Sequence, residues 1–408
     1  MSKPNNQNNE NKALSEQKNR EIFEKSKHSH HLEESLSYIC ETDGKKRKRR
    51  DVLKKQNVKH KHRHHHRSSK KKKVLKALKI TLCVLLGLVI LFVAAFYVFR
   101  QIGKNSMLNY KNVSITVPQN AEIADDGKTV EYKGKQYRLN ENIISILCVG
   151  VDNDITEQGG FGTNGQADAI FLLTVDVAKG NTNIIPINRD TKVDIDTYSQ
   201  SGKFAGIEGG QICLAYSYGK DSESGCKNVA KSVSRLLYGI PVNSYLALDL
   251  DAVGVINNIC NGVTVTSNET FSYYGAYLKE GQTITLTDSQ ATAFIRYRDQ
   301  SKDDSNVKRM QRQKMFLTAA ISELFAEIKS DIPKVSKIYS KLSPYSYSNI
   351  DVAQATYLAS QMVSLNKGMK VEYRSINGEV VREGKYAEFI VDEEKLYETV
   401  LDVFYTEQ

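Results

Sequence analysis

Two aspartates stand at the ends of apolar segments in the middle of the chain. Asp152 directly follows the apolar run of residues 143–151, and Asp168 directly precedes the apolar run that begins at Ala169. Mg²⁺ is commonly held by one or two carboxylates together with the phosphate oxygens of a substrate. The two positions therefore predict metal-binding or catalytic carboxylates, although an isolated aspartate at the end of a strand is also an ordinary surface residue.

Four arginines lie beside similar elements, and their spacing suggests an anion site. In the stretch Arg296-Tyr297-Arg298, an extended backbone would place both guanidinium groups on one face. On a helix, Arg309 and Gln313 would share a face. Guanidinium groups suit phosphate oxygens, and with Arg189 the set suits a pyrophosphate. The predicted chemistry is phosphoryl transfer or pyrophosphate handling. The alternative for Arg189 is a surface ion pair, which is common for an Arg-Asp dipeptide such as Arg189-Asp190.

Histidine is confined to the first part of the chain. From Arg100 onward there is none. This excludes a Ser-His-Asp triad, a Cys-His pair and a His-ligated zinc from that part. Chemistry in that part must then use carboxylates, Arg or Lys, hydroxyl groups or a hard metal ion, and Asp152, Asp168 and Asp190 are the candidates to accept a proton. The histidine-rich run could bind a metal, but a solvated basic run is the simpler interpretation. The eight histidines are His28, His30, His31, His60, His62, His64, His65 and His66.

An uncharged segment, Ile80–Phe99, divides the chain. Its length of 20 residues corresponds to about 30 Å of helix, which is the thickness of a bilayer core. The segment therefore predicts a single transmembrane helix rather than a buried core helix. A cleaved signal peptide is disfavoured because the segment begins about 80 residues into the chain.

The charge balance changes sign across this segment. Residues 1–79 carry a net charge of +15 and the remaining residues −5. Positive charge beside a membrane helix stays in the cytoplasm, so the N-terminus is predicted inside the cell membrane and the C-terminal part outside. The basic runs Lys45–Arg50 and Lys59–Lys73 resemble nucleic-acid contacts, but topology and anionic lipid explain them more simply, and no nucleic-acid partner is expected. The rest of this tail has the composition of a disordered segment.

Beyond the helix, apolar strand-like runs alternate with helical patterns. Strands are predicted over Ala169–Val177 and Asn183–Ile187, a helix ending at Gly239, a helix capped by Thr287 or Asp288, and a long amphipathic helix over 306–328. The pattern predicts an α/β fold, a layered α/β/α domain with a mixed central sheet. The predicted divisions are a tail (1–79), a membrane helix (80–99), a stalk with lead-in strands (100–140), a catalytic core (141–320) and a C-terminal α/β part that completes the same domain (321–408). One of the lead-in strands is predicted over residues 113–118.

The cysteines favour a structural role. No two of the six have the C-x-x-C spacing of a metal site. Four lie in the part predicted to face the exterior, where disulfides form. Cys213 and Cys226, 13 residues apart, are the pair most suited to a disulfide.

Eight short segments occur in an order that resembles the LytR-CpsA-Psr family of single-pass membrane proteins. The resemblance covers roughly residues 143–317. The segments are ILCVGVD, GQADAIFLLTVD, IIPINRDT, AYSYG, LLYGIPVNSYLALDLDA, GVTV, FIRYRD and KRMQRQKMFL.

This resemblance implies a cell-wall glycopolymer phosphotransferase. Such enzymes transfer a teichoic acid or capsular polysaccharide from undecaprenyl pyrophosphate to peptidoglycan, forming a phosphodiester. It implies Mg²⁺ held by Asp152 and Asp168, and an apolar pocket for the prenyl chain. It also implies that Asp190 belongs to the site. The implied pyrophosphate ligands are Arg189, Arg296, Arg298, Arg309 and Gln313.

Three positions depart from the pattern of that family. Gln166 replaces an arginine two residues before the second aspartate, and Gln211-Ile212-Cys213 replaces Lys-Ile-Asn. Asn153 and Asp154 stand where an arginine often follows the first aspartate. The alternatives to a transferase are therefore a non-catalytic scaffold that binds the lipid pyrophosphate, a regulator acting through the tail, and a pyrophosphatase.

Overall fold

The structure is a computed structural model that describes residues 67–110, 113–152, 161, 165–299, 301, 305–330, 334–364, 370–382 and 386–408. Most of the predicted tail lies outside these residues, and so do all eight histidines, Cys40, Asn153 and Asp154. Predictions about these positions therefore stay predictions.

The helices of the described residues are α1 (Arg67–Met107), α2 (Leu214–Ser217), α3 (Ser222–Leu236), α4 (Asp251–Ile259), α5 (Asp288–Arg296), α6 (Ser305–Ser330), α7 (Lys334–Leu342), α8 (Val352–Ser364) and α9 (Glu393–Phe404), with a 3₁₀ turn at Ser343–Tyr345. The strands are β1 (Ala121–Ile123), β2 (Thr129–Tyr132), β3 (Lys135–Leu139), β4 (Ile143–Val151), β5 (Ala167–Asp176), β6 (Asn181–Ile187), β7 (Lys192–Tyr198), β8 (Phe204–Gln211), β9 (Ser244–Leu248), β10 (Thr264–Thr266), β11 (Phe271–Tyr273), β12 (Ala276–Leu278), β13 (Thr283–Thr285), β14 (Ser346–Ser348), β15 (Lys370–Tyr373), β16 (Gly378–Val381), β17 (Glu388–Val391) and β18 (Tyr405–Glu407).

A six-stranded mixed sheet forms the centre, in the order β14-β9-β4-β5-β6-β15. The pairs β9–β4 and β6–β15 are parallel, and the other three are antiparallel. The predicted mixed central sheet is therefore confirmed. The strands predicted around 169–177 and 183–187 are β5 and β6, joined by a turn in which Gly180 has a φ of 80°.

Side chains of β4 alternate between two apolar layers, as the period of two in a strand requires. Leu147 and Val149 belong to the core that includes side chains of α3 and α9. Ile144 and Ile146 face the opposite way and pack with Met107 of α1 and Tyr357 of α8. Burial on both faces explains why β4 is a continuous apolar run rather than an alternating one.

A second apolar cluster lies beside the sheet. It includes residues of α4, α5 and α6 and of the short hairpins β10–β13 and β11–β12. Helix α5 begins with the predicted cap, because the Thr287 side chain accepts a hydrogen bond from the backbone of Gln290 and the Gln290 side chain bonds back. This cluster positions the arginines discussed below.

Helix α1 contains the predicted membrane segment. Val74–Met107 is long and apolar enough to cross a membrane, and the side chains of its apolar window are exposed. The helix ends at Met107, so the first residues of the predicted stalk are helical. Near that end, Gly103 lies so close to α8 that an added Cβ would stand 2.0 Å from the carbonyl oxygen of Ala353.

Three local predictions are wrong. Residues 113–118 form no strand. Helix α3 ends at Leu236 rather than at Gly239, because Tyr238 and Gly239 both adopt positive φ values and stop the helix. Cys213 and Cys226 are both buried free thiols and form no disulfide.

Candidate functional site

The two aspartates predicted first lie together at one edge of the central sheet. Asp152 follows β4, and Asp168 is the second residue of β5, the antiparallel neighbour of β4. In the pairing of these strands Gly150 lies opposite Ala169 and Val151 opposite Ala167, so Asp168 is the extra residue of a β-bulge. A bulge re-aims a side chain at the rim of a sheet, and both carboxylates line the same cavity.

Arg189 follows β6, the other neighbour of β5, and connects several of these groups. Its guanidinium contacts the carboxylate of Asp168 and donates a hydrogen bond to the Gln166 side chain. Its Nη2 lies 3.6 Å from the Cys213 sulfur, and its Nε lies 3.6 Å from Oδ1 of Asp190. Arg189 therefore contacts two of the three candidate carboxylates and two of the positions that depart from the family pattern.

Asp190 lies in a different environment from the other two aspartates. Burial raises the pKa of its carboxyl group above the usual value, and the charges of Arg189, Arg309 and Arg298 only partly oppose that effect. Gln211 donates a hydrogen bond of 3.3 Å to Oδ1 of this residue. A carboxyl group with a raised pKa is better suited to accept a proton near neutral pH than an ordinary aspartate.

The remaining predicted ligands come from α5 and α6. Arg296 is the last residue of α5 and Arg298 lies two residues further on, so the expected extended segment is only partly present. Arg309 and Gln313 lie one turn apart on α6, as predicted. All four side chains line one cavity, which brings together residues that the sequence separates by up to 17 positions.

The electrostatic environment of Arg309 is that of a buried cation among other cations. The pKa of its guanidinium falls to about 10, because the group is buried and the charges of Arg189 and Arg298 lie nearby. Like charges crowded in a partly buried place destabilise one another, and the charge of Asp190 offsets only part of that effect at Arg309. A bound polyanion would therefore stabilise this arrangement, which is the charge pattern expected of a phosphate site.

One important arginine was missed by the sequence analysis. Arg312 is 0% exposed, and its Nε donates a hydrogen bond of 2.8 Å to the carbonyl oxygen of Phe294. It also donates to the carbonyl oxygen of Tyr297 and forms an ion pair of 3.0 Å with buried Glu269. Arg312 does not share the helix face of Arg309 and Gln313 that the spacing argument considered. The signal that could have identified it is its place within the motif KRMQRQKMFL.

Arg312 holds the end of α5 in place. The last carbonyl groups of a helix have no partners within the helix, and a cation there satisfies them. The guanidinium also lies 5.3 Å from the ring centres of both Phe271 and Tyr297. Because Tyr297 separates Arg296 from Arg298, these contacts fix the backbone between the two arginines.

Two cavities meet at this group of arginines. The apolar cavity, of about 510 Å³, is lined mostly by apolar side chains such as Phe171, Ile256 and Phe316. The polar cavity, of about 640 Å³, is lined mostly by polar and charged side chains, including Arg189, Asp190 and Gln211. Arg298 and Arg309 line both cavities. A ligand with an apolar chain, a charged centre and a polar group would match this order.

The carboxylates allow a hard metal ion but do not enclose one. Among the described residues there is no group of three or more His, Cys, Asp and Glu side chains that could hold a metal. Asp152 and Asp168 nevertheless line one cavity together with the arginines, and Mg²⁺ is often held by two carboxylates plus phosphate oxygens and water. The residues therefore fit Mg²⁺ bound jointly with a phosphate ligand.

The fold and site together define an α/β domain in which arginines lie between an apolar and a polar cavity, in a chain that also has a candidate membrane helix. The model of the LytR_cpsA_psr family matches residues 107–402. The chain therefore belongs to that family, and the match extends beyond the motif-bearing stretch on both sides.

Relatives with known names are similar over most of this region. The polyisoprenyl-teichoic acid–peptidoglycan teichoic acid transferase TagV of Bacillus subtilis is 25% identical over 304 residues, which are 72% of this chain and 71% of TagV. A transferase named TagU from Bacillus cereus is 29% identical over 205 residues, which are 48% of this chain and 61% of TagU.

Solved structures show the same fold. The crystal structure of B. subtilis TagV superposes with a TM-score of 0.51 at 24% identity, over 64% of this chain and 96% of that one. The protein gbs0355 of Streptococcus agalactiae superposes with a TM-score of 0.53 at 19% identity, over 65% and 90% of the two chains. These likenesses confirm the predicted fold class.

Proposed function

We propose that this protein transfers a glycopolymer of the teichoic acid or capsular polysaccharide type from an undecaprenyl-pyrophosphate carrier to peptidoglycan, forming a phosphodiester. The observation that carries the proposal is the meeting of an apolar and a polar cavity at Arg298 and Arg309. The names of the relatives support it, because TagV and TagU are named as transferases of polyisoprenyl-linked teichoic acid to peptidoglycan.

Each part of such a carrier has a matching place in the site. The prenyl chain would enter the apolar cavity, and the pyrophosphate would lie against Arg298, Arg309 and Arg296. Gln313 would add an amide donor on the same helix face as Arg309. Several guanidinium groups around one pyrophosphate stabilise charge that develops on its oxygens during transfer.

Asp190 is the best placed of the three aspartates to act as the base. It lines the polar cavity, from which an acceptor hydroxyl would approach, whereas Asp152 and Asp168 line the apolar cavity. The acceptor oxygen attacks the phosphorus next to the glycan, its proton passes to Asp190, and the bond to the bridging oxygen breaks. Prenyl phosphate leaves. Mg²⁺ held by Asp152 and Asp168 would supply further neutralisation of the pyrophosphate charge.

The proposed setting is the outer face of the cell membrane. The exposed apolar helix α1 would anchor the chain in a single pass, with its basic N-terminal side in the cytoplasm. Lipid carrier and peptidoglycan would then both be within reach of the domain.

Full-length protein in nanodiscs, supplied with undecaprenyl-linked polymer, peptidoglycan and Mg²⁺, tests the proposal. Arg298→Ala and Arg309→Ala should each reduce transfer at least a hundredfold, the size of effect expected when a donor to a developing charge is lost (roughly 10²–10³-fold). Arg138→Ala is a control, since that side chain is 49% exposed and pairs with Asp126 outside both cavities. Full transfer by both site variants would refute the proposal.

A non-catalytic scaffold that binds the lipid pyrophosphate is the second candidate. It is favoured by the position of Arg189, which is already engaged by Asp168 and by Gln166, the residue that departs from the family pattern. The same assay separates the two functions. Binding of the carrier without release of prenyl phosphate would establish the scaffold and exclude the transferase.

A further inference from the structure

The C-terminal hairpin β16–β17 forms one wall of the polar cavity. Arg382 directly follows β16, Tyr386 precedes β17, and both side chains line the cavity together with Ala387. Both side chains are exposed to solvent, Tyr386 to 64%. The segments that resemble known family motifs all lie before residue 320, so this wall is a feature that those motifs do not explain.

The hairpin is held against the site by backbone and side-chain contacts. The backbone N–H of Phe389 donates a hydrogen bond of 2.8 Å to the carbonyl oxygen of Asp190. Lys192 forms an ion pair of 2.9 Å with Glu388. The main-chain bond fixes where β17 begins, whatever the side chains at Arg382 and Tyr386.

Gln211 couples the hairpin to the proposed base. Its amide group donates a hydrogen bond of 2.7 Å to the carbonyl oxygen of Ala387 and one of 3.3 Å to Oδ1 of Asp190. A single side chain thus connects the wall of the cavity with the carboxylate inside it. A ligand that touches this wall would therefore lie next to Asp190.

The chemistry of the wall suits a sugar. Guanidinium and phenol groups donate hydrogen bonds to hydroxyl oxygens, and a tyrosine ring adds an apolar face with a polar tip. The volume of about 640 Å³ falls in the range of sites that hold compact organic ligands (roughly 300–1,000 Å³). The polar lining disfavours a prenyl chain, which the apolar cavity accommodates better.

We infer that Arg382 and Tyr386 bind a saccharide in the polar cavity and that these two side chains determine which saccharide the site accepts. The inference rests on the proposed function, because a pyrophosphate bound at Arg298 and Arg309, which line both cavities, would have its attached group next to this cavity. The saccharide is either the sugar on the pyrophosphate or the acceptor sugar of peptidoglycan, and the experiment distinguishes the two.

The test measures the affinity of full-length protein in nanodiscs for two probes, undecaprenyl pyrophosphate and the same lipid carrying one N-acetylglucosamine. Wild-type protein should bind the sugar-bearing lipid more tightly. Arg382→Ala and Tyr386→Ala should each weaken its binding roughly fivefold, the size of one lost hydrogen bond. Both variants should bind the bare lipid within twofold of wild type.

Two kinds of control accompany the test: alanine variants of exposed residues outside the cavity, and conservative variants of Arg382 and Tyr386 themselves. Arg138→Ala and Tyr339→Ala remove an exposed arginine and a tyrosine that is 67% exposed, both outside the cavity. They should leave both affinities unchanged. Arg382→Lys and Tyr386→Phe retain most of the bulk, so a graded loss from these to the alanine variants identifies lost contacts with the sugar rather than a misfolded hairpin.

Each outcome decides the inference. If the alanine variants leave lipid binding intact but raise the KM for peptidoglycan, the saccharide is the acceptor and the inference holds. Equal weakening for both lipids, or no change in either lipid affinity or the KM, would overturn it. If wild-type protein does not bind undecaprenyl pyrophosphate, the proposed function itself fails, whereas binding of that lipid with no response of the hairpin variants refutes only the hairpin inference.

Discussion

Replacing Arg312 by alanine should destabilise the protein and disable the site at once. The guanidinium is fully buried, forms an ion pair of 3.0 Å with Glu269, and donates to the carbonyl oxygens of Phe294 and Tyr297. Removal would deprive buried Glu269 of this ion pair, and the remaining contact with Lys308 is longer, at 3.6 Å. Breaking a buried ion pair by removing one partner costs about 3–5 kcal/mol.

That loss should lower the melting temperature by roughly 10 °C, since each kcal/mol corresponds to about 2–4 °C in a domain of this size. It should also weaken binding of undecaprenyl pyrophosphate, because the backbone between Arg296 and Arg298 would lose its support. Arg312→Lys keeps the charge but not the planar fork that reaches both carbonyl oxygens and Glu269. We therefore expect a melting temperature between those of wild type and Arg312→Ala.

The assay is thermal unfolding of full-length protein in detergent, paired with lipid binding. Arg138→Ala is the matched control. Its exposed ion pair with Asp126 should contribute little, so its melting temperature should stay within about 2 °C of wild type. If Arg312→Ala also melts within 2 °C of wild type, the assignment of a supporting role to Arg312 is refuted.

Four further outcomes are expected. Transfer should fall as pH drops through the pKa of Asp190, and because that pKa is raised, the fall should begin at a higher pH than for an ordinary aspartate (about 4). Asp190→Asn should abolish transfer, and an Asp190→Asn protein that retains transfer with the pH profile of wild type would refute the role of base. EDTA should stop transfer and Mg²⁺ should restore it, and full activity in EDTA would contradict a role for the metal. Gly103→Ala should lower the melting temperature through its clash with α8, whereas Gly87→Ala on the same helix, where nothing lies within 4 Å, should not; equal effects would contradict the packing of α1. Thiol titration of unfolded, unreduced protein should find Cys213 and Cys226 both reactive, and a disulfide between them would contradict the structure.

Much of the fold was predictable because strong local patterns determined it. The uninterrupted apolar run of β4, the cap at Thr287 and the amphipathic pattern of α6 each follow from local chemistry, and the structure confirms them. Residues 113–118 also show a strand-like composition, yet they form no strand. Strand formation depends on a neighbouring strand to pair with, and composition alone does not supply that information.

The disulfide prediction was wrong for a related reason. The spacing of Cys213 and Cys226 is compatible with a bridge, but spacing does not determine where two side chains point. Cys213 lies beside Arg189 in the site, and Cys226 lies in α3, which ends at Leu236. A disulfide requires two Cβ atoms roughly 4 Å apart, and only the tertiary structure determines that distance.

By itself the sequence determined which residue types were available for chemistry. The absence of histidine after residue 99 already limited the chemistry to carboxylates, Arg or Lys, hydroxyl groups and a hard metal ion, and the aspartates and arginines at the ends of elements were the candidates among them. Only the tertiary structure decided how they combine. It placed Asp168 on a bulge against Arg189, buried Arg312 under the end of α5, and brought the C-terminal hairpin to the polar cavity. These contacts join segments up to about 200 residues apart in the chain, and such pairings depend on the packing of the whole sheet, which no local pattern specifies.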